Sequence, residues 1–460
     1  MNNLPRRHAI RSLAGGGLLL PGLLTEMLRG EGNGSTRHDA SVPVSPHFPA
    51  RAKRVIFMFM TGGVSHVDTF DPKPYLQEHH DQPASKPRNR FYKGSDWKFR
   101  PHGQCGTEVS DLFPCIGSMM DDICLIRSMQ NINGDHFGAT IGIHTGSATF
   151  NRPSIGSWVS YGLGTTNNNL PAFMVISPGL PYAGGQVWGS DFLPSVHEGT
   201  RIIPGPEPIA NMQRRSANAQ LQKTELDLLQ FFNRQHFRGR EKDGQLASRI
   251  KSFETAAGMQ LAAPDAFDLS RESDATHKLY GLKRGDTGGF GWQCLVARRL
   301  AERGVRFIEL IDGDSNVDRN WDSHATMGIY NKLARNVDRP IAGMLRDLKA
   351  RGMLDDTLVV FTTEFGRQPW VPNPGVEGRN HHSRTYCSWL AGGGIRGGMV
   401  YGQSDEVGND VAEKKVTVHD FQATILHQLG IRHEDLTYRH AGRDFRLTDV
   451  HGEVVQDILG

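Results

Sequence analysis

Imidazoles and carboxylates, the side chains that ligate divalent metals and move protons, gather in this 460-residue chain just after short apolar runs. Thr61-Gly-Gly-Val-Ser-His-Val-Asp-Thr-Phe-Asp follows the first run and supplies His66, Asp68 and Asp71. Asn133-Gly-Asp-His follows the second, with Asp135, His136 and, further on, His144. Asn320-Trp-Asp-Ser-His follows the fourth with Asp322 and His324, and Thr362-Thr-Glu-Phe-Gly-Arg the fifth with Glu364 and Arg367. Gly378-Arg-Asn-His-His-Ser adds His381 and His382. With 20 histidines in the chain, an isolated one is ordinarily a surface or hydrogen-bonded residue. The recurrence at the ends of apolar runs is the signal of a shared site. Mixed carboxylate and imidazole donors suit zinc, manganese, iron or calcium, according to the count of each.

The apolar runs Val55–Met60, Ile123–Ile126, Phe173–Ile176, Arg306–Ile311 and Leu358–Phe361 read as strands buried on both faces of a parallel sheet. Helical patterns alternate with them: Cys294–Arg303, Ile341–Arg351 stopped by Gly352, and Phe421–Leu429 stopped by Gly430. This alternation predicts a layered α/β fold, whose sites form at the carboxyl ends of strands. Residues 206–290 are polar and strand-poor, with helical patterns in Gln220–Phe232 and Leu246–Met259. They read as a helical insertion, either a roof over the site or a packed surface layer. Ser154, and Thr417 or Asp420, read as helix caps. The run from Gly392 to Gly397 has G-x-G-x-x-G spacing, but Met399-Val-Tyr after it reads as a strand rather than a helix. It is therefore expected to be a glycine turn near the site and not a dinucleotide cradle. Trp321 is either a pocket wall or packing.

Hydrophobic residues at 38% and charged residues at 22% describe an ordinary globular protein. The near-balance of 52 Lys+Arg against 49 Asp+Glu argues for no nucleic-acid partner. No stretch of 18 apolar residues exists to form an ordinary membrane span. Five cysteines without a CxxC pair exclude a disulfide scaffold and a thiolate zinc site. Cys105 and Cys115 could pair in an oxidising compartment, and Cys124 reads as a buried thiol. Arg6–Arg7 precede a glycine-rich, weakly apolar segment ending near Leu24. That order resembles a twin-arginine export signal over residues 1–30, followed by a linker over 31–50. It implies the twin-arginine translocase as a partner and a periplasmic or extracellular location.

From about residue 53 to the C-terminus, "RVIFMFMTGGVSHVDTFDPKP", "NWDSHATM", "VVFTTEFGRQPW" and "GRNHH" resemble the alkaline phosphatase and sulfatase superfamily. Within it, the chain is most similar to the secreted bacterial family called domain of unknown function 1501. The resemblance implies a three-layer αβα, alkaline phosphatase-like domain over 51–460. It has a mostly parallel central sheet and the helical insertion at about 206–290. It further implies metal-dependent hydrolysis of a phosphate or sulfate ester, on a small molecule or a glycan. Superfamily members carry their nucleophile nine residues before a Thr-Gly pair. Counting back from Thr145-Gly146 reaches His136. Where relatives carry Thr-Ser-Asp-His-Gly, this chain has Thr362-Thr-Glu-Phe-Gly, so Glu364 keeps a carboxylate and Phe365 replaces an imidazole. The first strand ends in Thr61-Gly62-Gly63 rather than an aspartate, leaving Asp68 as the nearest carboxylate. Asp322, His324 and one of His381 and His382 look like a nearly whole ligand set. One metal is therefore expected (zinc, calcium or manganese), or a second bound differently through His66, Asp68, His136 and Glu364. His136, His144 and Arg367 are the catalytic candidates, with either histidine as general acid or base, or His136 as nucleophile. The substitutions at His136 and Phe365 equally suit a catalytically decayed binding protein on the same scaffold.

Overall fold

A strand whose every side chain is apolar has no face to offer water, so it needs cover on both sides. In the computed structural model, which describes residues 44–167, 169–210, 218–241 and 243–460, such strands form the centre of the molecule. The expected export signal and most of the linker, residues 1–43, lie outside the described residues. From Val44 the chain is already tied down, its amide bonded to the Leu163 carbonyl at 3.0 Å.

The main sheet has nine strands: β1 (Arg54–Met60), β2 (Ile123–Gln130), β3 (Phe173–Ile176), β4 (Thr200–Ile202), β5 (Phe307–Asp312), β6 (Thr357–Thr362), β7 (Tyr386–Ala391), β8 (Met399–Tyr401) and β9 (Val416–Thr417). Their order is β8-β2-β7-β6-β1-β5-β3-β4, with β9 also pairing β2. All neighbours are parallel except that β7 runs against both β2 and β6. Along β1, Ile56, Met58 and Met60 enter one apolar cluster while Val55, Phe57 and Phe59 enter the other. This is the two-residue period of a strand with both faces buried.

Of the helices α1 (His136–Thr145), α2 (Ile155–Leu163), α3 (Ala219–Phe237), α4 (Gly244–Phe267), α5 (Gly289–Glu302), α6 (Tyr330–Ala350) and α7 (Val418–Gln428), all but α3 and α4 pack directly on the sheet as its cover. Ile143 of α1, Trp158 of α2 and Phe421 of α7 pack with Phe57 and Phe59. Leu295 of α5 and Ile341 and Leu345 of α6 pack with Met58 on the other face. The result is a three-layer αβα sandwich with a mostly parallel sheet, as expected. α4 docks on α5 as a surface layer: Met259, Ala263 and Ala266 enter the second face's cluster, and Arg299 donates to the Ala266 carbonyl at 2.9 Å.

Three details differ from the sequence reading. α6 starts at Tyr330 and runs through Pro340, because Leu333, Ala334, Val337 and Ile341 bury one continuous stripe. The glycine loop at Gly392–Gly394 lies away from the site. Since β7 is antiparallel, its carboxyl end reaches the opposite rim, where the Gly393 amide bonds the Leu354 carbonyl at 2.9 Å. All five cysteines are free, so Cys105 and Cys115 are unpaired. No described helix is long and apolar enough to cross a membrane.

Candidate metal centre

The parallel strands β1, β5 and β6 end on one rim, and the chain turns there bring their side chains inward. After β1, Gly62 has φ 110°, and a Cβ on it would lie 2.6 Å from the backbone nitrogens of Trp321 and Asp322. Only glycine lets these two turns touch. The Asp322 amide donates to Asn320 Oδ1 at 2.8 Å, which aims the Asp322 carboxylate at the rim. Glu364, two residues past β6, accepts from the Gly62 amide at 2.8 Å through Oε1 and from the Thr363 hydroxyl at 3.0 Å through Oε2. Across the sheet, the Asp135 side chain accepts from the Gly138 amide at 2.8 Å and so starts α1 with His136 as its first residue. Finally, His381–His382 pair antiparallel with Gly366–Arg367. Neighbours on an extended chain point to opposite faces, so only one of the two histidines can enter.

Asp322 is the meeting point. Its Oδ2 lies 3.1 Å from His136 Nε2. Its Oδ1 lies 3.2 Å from His381 Nε2, 2.8 Å from His324 Nε2 and 2.8 Å from Arg367 Nη2. Each imidazole is held from behind through Nδ1: His136 by Glu364 Oε1 at 2.7 Å, His381 by the Gly134 carbonyl at 2.9 Å, and His324 by Asn380 Oδ1 at 2.9 Å. A carbonyl or ionised carboxylate only accepts, so Nδ1 of His136 and of His381 carries a proton, and in the neutral ring Nε2 presents a lone pair. Those lone pairs face an anionic oxygen. His136 Nε2 is buried and makes no hydrogen bond despite its distance from Asp322. Lone pairs and a carboxylate so arranged repel unless a proton or a metal cation sits between them. With metal–ligand bonds of 2.0–2.1 Å, tetrahedral ligand atoms stand roughly 3.3 Å apart. The donor set thus fits a divalent metal, with His136, His381 and Asp322 offering atoms within 4.8 Å of one another.

The electrostatics agree. Burial would raise Asp322, but the adjoining His136 and His381 imidazoles and the Arg367 charge hold it well below the usual carboxylate range. Burial would lower His136, but the Asp322 and Glu364 carboxylates outweigh it and raise the imidazole above its ordinary value. Tyr182 stacks on the His136 ring at 4.0 Å, and burial pushes its phenol up to about 12. Phe365 closes the other side, 4.8 Å from His136 and 4.6 Å from His381.

The remaining expected site residues are placed elsewhere. Arg367 is fully buried and donates to the carbonyls of Gly62, Gly63 and Arg379 as well as to Asp322, so it braces the turns. His144 lies under the sheet against Phe57 and Phe59, with Nε2 2.9 Å from Glu309. Asp68 is buried in a forked pair with Arg379, at 2.7 and 3.2 Å. His66 bonds the Gly408 carbonyl at 2.8 Å, and its ring stacks toward His382 at 6.2 Å. His66, Asp68 and His382 therefore do not join the Asp322 cluster. Trp321 is packing: it is buried and donates to Asp312 at 3.0 Å. Tyr182, Asn320 and Asn380 were not anticipated. The two asparagines sit inside the quoted motifs as amides among stronger ligand types, and Tyr182 follows β3, where no imidazole or carboxylate marks the strand end.

Among solved structures, the chain is similar to the lipoteichoic acid synthase LtaP from Listeria monocytogenes, at 9% identity over 88% of this chain and 78% of that one, TM-score 0.36. It is also similar to the PsFucS1 sulfatase from Pseudoalteromonas sp., at 12% identity over 84% and 69%, TM-score 0.36. Similarity to the alkaline phosphatase from the Antarctic bacterium TAB5 is 12% over 82% and 98%, TM-score 0.33. No curated protein matches the chain. The family model described as "Protein of unknown function (DUF1501)" matches residues 52–459, from the residues just before β1 to the C-terminal end of the sandwich, and the chain belongs to that family.

Proposed function

We propose that the chain is an exported, metal-dependent hydrolase of phosphate or sulfate esters, acting on a small molecule or a glycan. The observation that carries the reading is the convergence of the His136 and His381 lone pairs on Asp322 at the strand-end rim. The motif resemblance to phosphatases and sulfatases supplies the substrate class. A divalent ion held there would supply a Lewis acid for an ester oxygen and would make water more acidic. The chain's own residues do the rest. Asp322 stays anionic, Glu364 and Gly134 hold the imidazole lone pairs forward, and Tyr182 and Phe365 wall the His136 ring. The polar side-chain partners of Asp322 among the described residues are His136, His324, His381, Arg367, Tyr182 and Asn320. None is a serine, threonine or cysteine, so a covalent seryl intermediate is disfavoured.

A panel of aryl phosphate and sulfate esters, with added zinc, manganese or calcium, tests the reading. Turnover lost on chelation and in Asp322→Asn is expected. A second reading, a binding protein on a decayed scaffold, is favoured by His136 at the expected nucleophile position and by Phe365 in place of an imidazole. Metal binding without turnover of any ester in the panel would select it. Export through the twin-arginine translocase rests on Arg6–Arg7. Replacing both with lysine should retain the protein in the cytoplasm on cell fractionation.

A further inference from the structure

We propose that the centre takes a single cation of the zinc type through three protein ligands, His136 Nε2, His381 Nε2 and Asp322. Glu364 is the positioning residue of His136, and His324 stands outside the ligand set. The proposal depends on the reading above for the existence of an ion and not for ester hydrolysis.

The donor chemistry selects the ion. Calcium takes six to eight oxygens and magnesium an octahedron of them, whereas imidazole nitrogens suit zinc and its neighbours. Here two of three donors are imidazoles, and further oxygens are already committed. Glu364 Oε1 accepts from the Gly62 amide and from His136, and Oε2 from the Thr363 hydroxyl. Asp68 is consumed by Arg379 and Ser65. Among the described residues only one group of three ligand side chains gathers within reach of an ion, which sets the count at one.

The roles of the histidines follow from what holds them. The Glu364 side chain is fully buried, and the His136 side chain is 10% exposed. The ring is clamped between Tyr182 and Phe365, with its lone pair turned to Asp322. An imidazole so fixed is a ligand backed by a carboxylate rather than an attacking group. The His324 side chain is 44% exposed and meets the cluster from outside, through Asp322 Oδ1 and His381 Nε2 at 2.8 and 3.0 Å. His324 thus stands at the solvent-exposed mouth of the centre, on the side where zinc sites keep a position for substrate.

The test uses the full chain stripped by chelator and dialysed against zinc, calcium or magnesium, with metal content measured per chain. One equivalent of zinc, retained against a large excess of calcium, is expected. Glu364→Gln keeps the acceptor for the Gly62 amide and should weaken zinc binding by about 10–100-fold. His136→Ala should lose the stoichiometric zinc, and His324→Ala should keep it. The d–d spectrum of the cobalt-loaded chain should change in His136→Ala and Glu364→Gln. Near-ultraviolet circular dichroism of the metal-free variants reports folding. If His136→Ala is misfolded, Glu364→Gln decides. Preference for calcium, two equivalents of zinc, unchanged affinity in Glu364→Gln, or loss of zinc in His324→Ala would overturn the proposal. Zinc bound without ester turnover would sink the hydrolase reading alone, and turnover with calcium only would sink this one alone.

Discussion

Arg367 shows how the rim is held at the level of one side chain. Its guanidinium is buried, donates to the carbonyls of Gly63, Trp321 and Arg379 in three turns and pairs with Asp322 at 2.8 Å. Arg367→Met would strand those carbonyls and one carboxylate without donors. A loss of about 3–5 kcal/mol is expected in chemical denaturation. Arg384, paired with Asp410 on the surface, provides the contrast, and Arg384→Met should cost no more than about 1 kcal/mol. Residue types announced Asp322, His381 and Glu364, because carboxylates and imidazoles at strand ends have few bland uses. They could not separate a ligand from its brace. Glu364 and Arg367 serve the site from behind, and Asp68 is as buried as Glu364 yet answers to Arg379. Only the three-dimensional partner distinguishes them, and that partner lies about 300 positions away in sequence for Asp68, Glu364 and Gly62 alike.

Elements place these residues, and their termini are the sensitive points. Thr417 accepts from the Asp420 amide while Asp420 accepts from the Thr417 amide, a reciprocal cap on α7. Thr417→Ala should lower stability by about 1 kcal/mol in urea titration. Gly62→Ala faces both a positive φ and a backbone collision, so its cost should exceed about 1 kcal/mol and should lower metal content as well. Strands β1, β3, β5 and β6 were legible because runs of β-branched and large apolar residues bounded by turn residues admit little else. β7 is the same kind of run, Tyr386-Cys-Ser-Trp-Leu-Ala, and was missed. Its direction depends on β2 and β6, which no local pattern reports, and the misplacement of the glycine loop after it follows from that. α6 exceeded its expected span because a buried stripe of four apolar residues outweighed the missing amide of Pro340.

For the molecule as a whole, two buried groups set opposing pH dependences. Burial pushes the Asp312 carboxyl up to about 6 and the His66 imidazole down to about 4. A raised acid contributes stability that is present below its unfolded value near 3.9 and is lost as pH rises through about 6. A depressed histidine contributes stability that is present above about 6.5 and is lost as pH falls through about 4. Asp312→Asn should therefore gain on the wild type as pH rises, by up to about 3 kcal/mol at pH 8, and lose the advantage below pH 4. Asn336, which donates to Asp312 at 3.4 Å, can turn its amide to accept from the new side chain. Denaturation midpoints at three pH values check this. Zinc at about 100 times its Kd should stabilise the wild type by about 2.7 kcal/mol and leave Asp322→Asn unmoved. The two-sided burial that makes a sandwich could be read from composition along the strands. Strand order could not, since most pairings join segments far apart in sequence.

The consecutive histidines at 381 and 382 carry a consequence for how the family can vary. One faces Asp322 and the other faces His66, and β7 anchors the chain a few residues later. A single residue inserted between His382 and Tyr386 would slide the segment back by one and swing His382 into the seat that His381 vacates. The doubled imidazole is thus a spare part: it lets a loop change length by one step without emptying the seat opposite Asp322.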